Sequence, residues 1–281
     1  MFTRPDKTYN LDPTVVQRVL RNEASPLNRI CNLIQDGTKI LDVGAGNGIL
    51  AAVLSETGRN VILDGIEPHP YAFEIAQRQG YRRLYRGHAK DFMAEIDKEN
   101  YDFVVVADVI EHTDDPVSLL AGLFASVRRE ARIVLSVPNV AFGAVRLGLL
   151  NGRFDYVDSG LLERTHLRFF TVDTIRTIAH VLGANIEAIW FLQRNLLNTE
   201  IRLEHCRFSL PCFLQIAKDP LSSTYQFVVV LTKDAVTTEE RFFGERIRHP
   251  IRSYLCFRLG LNRYLAKARE LLTSVTKDHQ A

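Results

Sequence analysis

Residues 40–50 read ILDVGAGNGIL, a short apolar run that breaks into glycines at alternate positions, Gly44, Gly46 and Gly48. Extended to KILDVG (39–44), the apolar half has the length and composition of a buried strand. The second half, NGILAAVLSETG (47–58), reads as a helix closed by Gly58. Glycine lets a ligand approach the main chain without Cβ clashes. The N–H groups that open a helix are unpaired donors. Bare backbone between a strand and a helix therefore points to a bound ligand.

The same rhythm continues downstream. NVILDGIE (60–67) is a second strand and HPYAFEIAQRQG (69–80) a second helix; YRRLYRG (81–87) is a weaker strand before a short helix around 89–97. YDFVVVADV (101–109) is a buried strand, followed by a helix over 116–128 with Asp114 or Asp115 as its cap, and by the strand ARIVLSVP (131–138). A helix over 171–183, capped by Thr171 or Asp173, and the strands NIEAIWFLQ (185–193) and TYQFVVVLTK (224–233) complete the pattern. Upstream, residues 13–35 suggest helical packing interrupted near Pro26. Alternation of this kind predicts an α/β fold, a doubly wound, mostly parallel sheet with helices on both faces.

In such sheets ligands bind at the carboxyl ends of the strands, near the switch in strand order. The first strand–helix turn is therefore the expected cofactor seat. A dinucleotide turn would read G-x-G-x-x-G, whereas here the spacing is G-x-G-x-G and Ile49 takes the last place of that pattern. That argues against NAD. Glu67 ends the second strand, 19 residues beyond Gly48, where a carboxylate can accept from both hydroxyls of a ribose. Together the landmarks imply an adenosine ligand whose other end lies over the glycines.

LDVGAGNG (41–48) resembles the first motif of class I S-adenosylmethionine-dependent methyltransferases, and DGIEPHP (64–70) their second-strand acidic motif. YDFVVVADVIEHTDDPVSLL (101–120) is similar to the fourth strand of the ubiquinone-biosynthesis subgroup. SVPNVAFGAVRLGLLNGRFDYVDSGLLERTHLRFFT (136–171) resembles bacterial methyltransferases of cell-surface glycan and other secondary pathways. The resemblance implies a Rossmann-like, seven-stranded sheet with an antiparallel last strand, and S-adenosylmethionine as cofactor. It places Asp42, Gly44, Ala45, Gly46 and Gly48 around the methionine part, Glu67 at the ribose, and Asp108 beside the reactive sulfonium. One departure concerns adenine. His88 stands where an acid is expected, so either Asp91, three residues later, or backbone near Ala89 substitutes, or adenine recognition is weaker than usual in the family.

A sulfonium methyl is already electrophilic, so a general base is needed only for an acceptor such as a hydroxyl. His112, directly after the fourth strand, is the first candidate and His166, in ERTHLRFF, the second. The alternative for each is a histidine that orders its loop. Glu111 is either a pocket acid or a helix-start residue. Arg146, Arg153, Arg164 and Arg168 could bind phosphate or carboxylate, and Phe154, Tyr156, Phe169 and Phe170 could stack on a sugar or close a lid. Equally, 139–171 could be a packed covering subdomain with its arginines in internal salt bridges. The expected reaction is O-methylation of a small acceptor, a sugar-linked or phosphorylated molecule, a glycan precursor or a related metabolite. The rivals are N-methylation of an amino sugar or amine, and a non-catalytic cofactor-binding interaction domain.

The bulk properties narrow the setting. A net charge of +2 gives no reason to expect nucleic acid as partner. The four cysteines are scattered with no C-x-x-C pair, which suits a reducing compartment, and His205–Cys206 near Cys212 lacks a second ligand pair, so no metal site is expected. The amino-terminal stretch has no apolar signal region, and a cytoplasmic location is the expectation. The organisation expected is an N-terminal helical segment (1–38), a methyltransferase domain (39–233) with an acceptor-side insert (139–171), and a basic helical extension (234–281). In that extension Leu261, Leu265, Ala268, Leu271, Leu272 and Val275 recur at helical spacing. It either packs on the domain or a second subunit, or lies on an anionic membrane surface.

Overall fold

The computed structural model describes residues 11–245 and 249–259. Ten helices and eight strands are found there. In chain order they are α1 (Pro13–Arg21), α2 (Pro26–Leu33), β1 (Lys39–Val43), α3 (Ile49–Glu56), β2 (Ile62–Glu67), α4 (Pro70–Ala76), β3 (Arg83–Arg86), α5 (Met93–Glu99) and β4 (Phe103–Ala107). There follow α6 (Pro116–Ser126), β5 (Arg132–Pro138), α7 (Gly143–Leu149), α8 (Val172–Val181), β6 (Asn185–Gln193), α9 (Leu210–Lys218), β7 (Thr224–Thr232), β8 (Glu239–Gly244) and α10 (Pro250–Arg258).

The described residues divide into two compact units, one made of 11–140, 156–193 and 225–244, the other of 141–155, 194–224, 245 and 249–259. The first holds the sheet, whose order is β3-β2-β1-β4-β5-β7-β6-β8. The neighbours from β3 to β5 are parallel, and β7 runs antiparallel to β5. Because β1 lies between β2 and β4, successive crossovers leave it in opposite directions. The carboxyl ends of β1 and β4 thus flank the switch point where ligands bind. Val105, Val134 and Val228 on neighbouring strands are fully buried with Ile40, and Leu50, Val53 and Leu54 of α3 cover them. This is why these strands read as unbroken apolar runs rather than alternating ones.

Local chemistry sets the helix starts. Asp115 accepts from the Ser118 N–H before Pro116, and Thr171 accepts from Thr174, so each cap falls on one of the two residues expected.

The sheet has eight strands, not seven. β8 pairs in parallel with β6 at residues expected to belong to a helical extension. Aromatic pairing explains the difference: Phe242 stacks on Phe191 at 4.5 Å, and Phe243 meets Trp190 edge-on at 6.2 Å. The guanidinium of Arg29 lies 4.0 Å over the Phe243 ring. None of these partners is near in sequence.

The second unit is helical. α7 arises within 139–171 and α9 within 194–223, two segments where the sequence shows no simple periodicity. A side chain at Gly143 would come within 3.0 Å of the Ser222 carbonyl, so α7 packs close to the turn at 220–223. Phe208 stacks on Phe213 and Phe257, and Tyr254 Oη donates to the Phe208 carbonyl, which fixes α10 against α9. The expected apolar repeat from Leu261 to Val275 lies outside the described residues. No described helix is long and apolar enough to cross a membrane.

Candidate active site

All three glycines of the turn after β1 have left-handed backbone, with φ of 78°, 57° and 80° at Gly44, Gly46 and Gly48. They are glycine for different reasons. A Cβ at Gly44 would lie 2.6 Å from Val109 Cγ2, and one at Gly48 2.6 Å from Gln79 Cγ. The protein's own side chains claim those two spaces. At Gly46 nothing comes nearer than the Gly44 carbonyl at 4.0 Å. The middle glycine alone faces open space, and that is where a ligand can reach the backbone.

The turn is tied to the end of β2. Gly44 and Ala45 N–H both donate to the Ile66 carbonyl, and Glu67 accepts from Gly46 N–H with one oxygen and from His69 N–H with the other, each at 2.7 Å. A carboxylate has acceptor capacity beyond two backbone donors, so this position suits the hydroxyls of a ribose. Ala45 and Ala89 are buried, and Asp91 accepts from His88 N–H to open the turn Ala89–Phe92.

Asp42 is placed differently from the rest. It is buried on β1 and accepts from Tyr81 Oη at 2.6 Å. Burial pushes its carboxyl up to about 7, the Tyr81 hydrogen bond works against that, and the charge of Glu67 adds to it. Tyr81 was not among the expected site residues; its only signal is an aromatic just after Gly80. Since the folded-state value lies above the unfolded one of about 3.8, the folded protein holds an extra proton between them. The stability this group confers is complete below pH 4 and is lost as pH rises to about 7. Asp42→Asn should flatten thermal melting temperature across pH 4–7 relative to the wild type. An unchanged profile would show that Asp42 titrates normally.

Asp108, immediately after β4, is one of two described non-glycine residues with positive φ, at 53°. Its Oδ1 accepts from Ser136 Oγ at 3.2 Å and from Gln226 Nε2 at 2.5 Å. Gln226, a polar residue inside the apolar run of β7, was also missed; that break in the run was its signal.

The two histidines expected to be alternatives come together. Their rings meet edge-on with centroids 4.8 Å apart, and ligand atoms of Glu111, His112 and His166 all lie within 4.8 Å of one another. Glu111 and His166 are buried. His112 Nδ1 faces the Thr165 carbonyl at 3.1 Å, and His166 Nδ1 faces the Leu161 carbonyl at 3.0 Å. A carbonyl only accepts, so each Nδ1 carries a proton, and a ring in its neutral form has its lone pair on Nε2. The Leu167 and Arg168 N–H groups donate to the Glu111 carbonyl, which holds 165–168 against the turn after β4. Two imidazole lone pairs and a carboxylate can take a proton or hold a divalent cation.

The arginines are less concentrated. Arg164 pairs with Asp158, and Arg168 donates to the Asp114 carbonyl, both in the first unit with half-exposed Tyr156. Arg146 pairs with Asp219 and Arg153 with Asp155 in the second unit. Phe170 is buried, and the Val140 N–H donates to its carbonyl.

The strand order and the reversed β7 define the class I methyltransferase architecture, with a bare turn and a strand-end acid where that class holds S-adenosylmethionine. A family model described as a methyltransferase domain matches residues 16–189, more than half of the chain. The chain belongs to that family, and S-adenosylmethionine is its cofactor. It is 31% identical over 154 residues to the ubiquinone biosynthesis O-methyltransferase of Photobacterium profundum, a match spanning 47% of this chain and 66% of that relative, just under two thirds of its length. Its fold is similar to a SAM-dependent methyltransferase from Archaeoglobus fulgidus, with a TM-score of 0.53 and 16% identity over 75% of this chain and 92% of the other. It is also similar to the plantazolicin methyltransferase BamL, solved with a triazolic desmethylPZN analog and SAH, with a TM-score of 0.51 and 13% identity over 80% and 88% of the two chains.

Proposed function

We propose that this methyltransferase acts on a hydroxyl oxygen of a small molecule, a sugar, glycan precursor or related metabolite, sugar-linked or phosphorylated. The observation that carries the reading is the convergence of His112, His166 and Glu111 beside the carboxyl end of β4. S-adenosylmethionine supplies an electrophilic methyl group when bound. The chain's residues orient the acceptor and remove its proton. Orientation is worth on the order of 7–11 kcal/mol, and a base typically adds about 10²–10⁴-fold. His112 takes the hydroxyl proton at Nε2, because its Nδ1 proton is committed to Thr165. A neutral amine needs no such base, so the cluster favours oxygen. The O-methyltransferase name of the Photobacterium relative points the same way. Arg168 and Tyr156 support an acceptor with an anionic group and a ring face. The test is methyl incorporation from isotopically labelled S-adenosylmethionine into a panel of sugar phosphates, nucleotide sugars, phenols and amino sugars. An O-methyl product is expected; N-methylation of the amino sugars alone would overturn the reading.

One observation favours a second reading of the same cluster. One ligand atom each from His112, His166 and the buried Glu111, within 4.8 Å of one another, with each histidine held by a carbonyl at Nδ1, form a donor set suited to a divalent cation. In that case Glu111, His112 and His166 would hold the cation, which would lower the pKa of the acceptor hydroxyl. Calorimetric titration with Mn²⁺ should show one site in wild type that is lost in His166→Ala. No heat in the wild type would leave the base reading alone.

The proposal extends to the C-terminal extension as a contact surface. Ile251, Leu255 and Leu259 are exposed on α10 and just beyond it, at the spacing of one helix face. Co-sedimentation with anionic vesicles and light scattering separate a membrane from a second copy, and a monomer that ignores vesicles would remove both.

A further inference from the structure

Asp108 is held more tightly than an exposed surface aspartate requires. Left-handed backbone is disfavoured for an L-residue, so its neighbours must enforce it. The Asp108 N–H donates to the Ser136 carbonyl at 3.0 Å, and Ser136 Oγ and Gln226 Nε2 converge on its Oδ1. Ser136 is fully buried and Gln226 nearly so, and Gln226 also donates to Ser136 Oγ at 2.6 Å. Three strands are involved, because β5 brings Ser136 beside β4 and β7 brings Gln226 beside β5. The next residue, Val109, fills the space that a Gly44 side chain would take. Asp108 is therefore fixed beside the first glycine of the cofactor turn, with Glu111 and His112 following three and four residues later. Along the chain Asp108 stands directly before the residue that packs on the cofactor turn and just ahead of the first residues of the acceptor cluster, and its carboxyl is anchored by β5 and β7.

We propose that the Asp108 carboxylate reads the charge on the cofactor's sulfur, and that Gln226, with Ser136, is the positioning residue that keeps it aimed. The methyl donor carries a positive sulfonium; the spent cofactor, S-adenosylhomocysteine, carries a neutral thioether and is otherwise alike. A fixed carboxylate favours the charged form and so weakens retention of the product. The attraction fades as charge leaves the sulfur, so the gain falls on cofactor exchange and not on the chemical step. This rests on the cofactor assignment and is independent of which acceptor is used.

The test is calorimetric affinity for S-adenosylmethionine and for S-adenosylhomocysteine in the full chain and four variants, Asp108→Asn, Gln226→Leu, Ser136→Ala and the Asp108→Asn/Gln226→Leu double. Asparagine tolerates left-handed backbone better than other side chains, so Asp108→Asn removes charge with little change of conformation. It should lower the ratio of the two affinities by about 3- to 10-fold. Gln226→Leu and Ser136→Ala should each lower the same ratio part of the way. In the double variant, loss of Gln226 should add nothing to Asp108→Asn. General loosening of the fold would weaken both ligands together and leave the ratio alone. An unchanged ratio in Asp108→Asn overturns the charge reading. A ratio lowered there but untouched by Gln226→Leu and Ser136→Ala overturns the positioning role. Wild-type protein that binds neither ligand would instead strike the cofactor seat itself.

Discussion

Gly46→Arg is expected to reduce S-adenosylmethionine affinity by at least about 100-fold while leaving a folded protein. The middle glycine is the one whose Cβ would meet only the Gly44 carbonyl, at 4.0 Å, so a side chain there enters ligand space and not the core. The fold should lose only the left-handed penalty, about 1–2 kcal/mol, and the new guanidinium would sit near Glu67, which accepts from Gly46 N–H. Affinity is read by calorimetry and folding by thermal melting. The neighbouring glycines should respond in the opposite sense. Gly48→Val pushes a branched side chain into Gln79 and towards Ala76 Cα, where even a Cβ would approach to 3.1 Å. Its first effect should be a lowered melting temperature. If Gly46→Arg binds S-adenosylmethionine normally, the cofactor does not cross the turn and the site must be placed elsewhere.

The second large effect is expected at the histidine pair. Once an acceptor is in hand, His112→Ala should lower turnover by about 10²-fold or more, with cofactor affinity within a few-fold of wild type. His166→Gln should cost a comparable amount, because its ring belongs to the same cluster. The double variant should be little worse than either single, since groups that act as one unit do not contribute independently. If the rings only order the loop, both variants would melt earlier yet turn over at the wild-type rate at a temperature where they are folded. Glutamine is chosen at position 166 because the ring is buried and bonded to the Leu161 carbonyl, so truncation to alanine would mix a cavity with lost chemistry.

Cofactor and acceptor regions were not equally legible. Gly44, Gly46, Gly48 and Glu67 could be found from spacing because a strand, its turn and the next helix are local structures. The shift from period-2 or continuous apolar runs to helical spacing marks their ends. The same holds for the helix caps at Asp115 and Thr171, where a side chain meets backbone three residues away. What could not be read was the division of labour among the glycines, since Val109 and Gln79 reach them only across the fold. Nor could spacing reveal that Asp42 is buried under Tyr81, or that Gln226 reaches Asp108 across 118 residues of chain.

The acceptor side shows the limit of local pattern most clearly. Residues 139–171 read as one insert, yet they are shared between two units, and three of their four candidate arginines pair with aspartates of this chain. Helices α7 and α9 and strand β8 form where packing outweighs a weak periodic signal. β8 in particular depends on Phe191, Trp190 and Arg29, aromatic and cationic partners supplied by other elements. By itself, then, the sequence determined the strands from β1 to β7, the cofactor turn and an adenosine ligand, because those depend on local backbone demands and apolar periodicity, while the methyl donor was implied by the family resemblance. Tertiary structure alone decided that His112 and His166 lie in one place with Glu111. The two histidines lie 54 positions apart in the chain, and contacts between their segments, among them the backbone bonds from 167 and 168 to the Glu111 carbonyl and the His112 contact with the Thr165 carbonyl, bring them together.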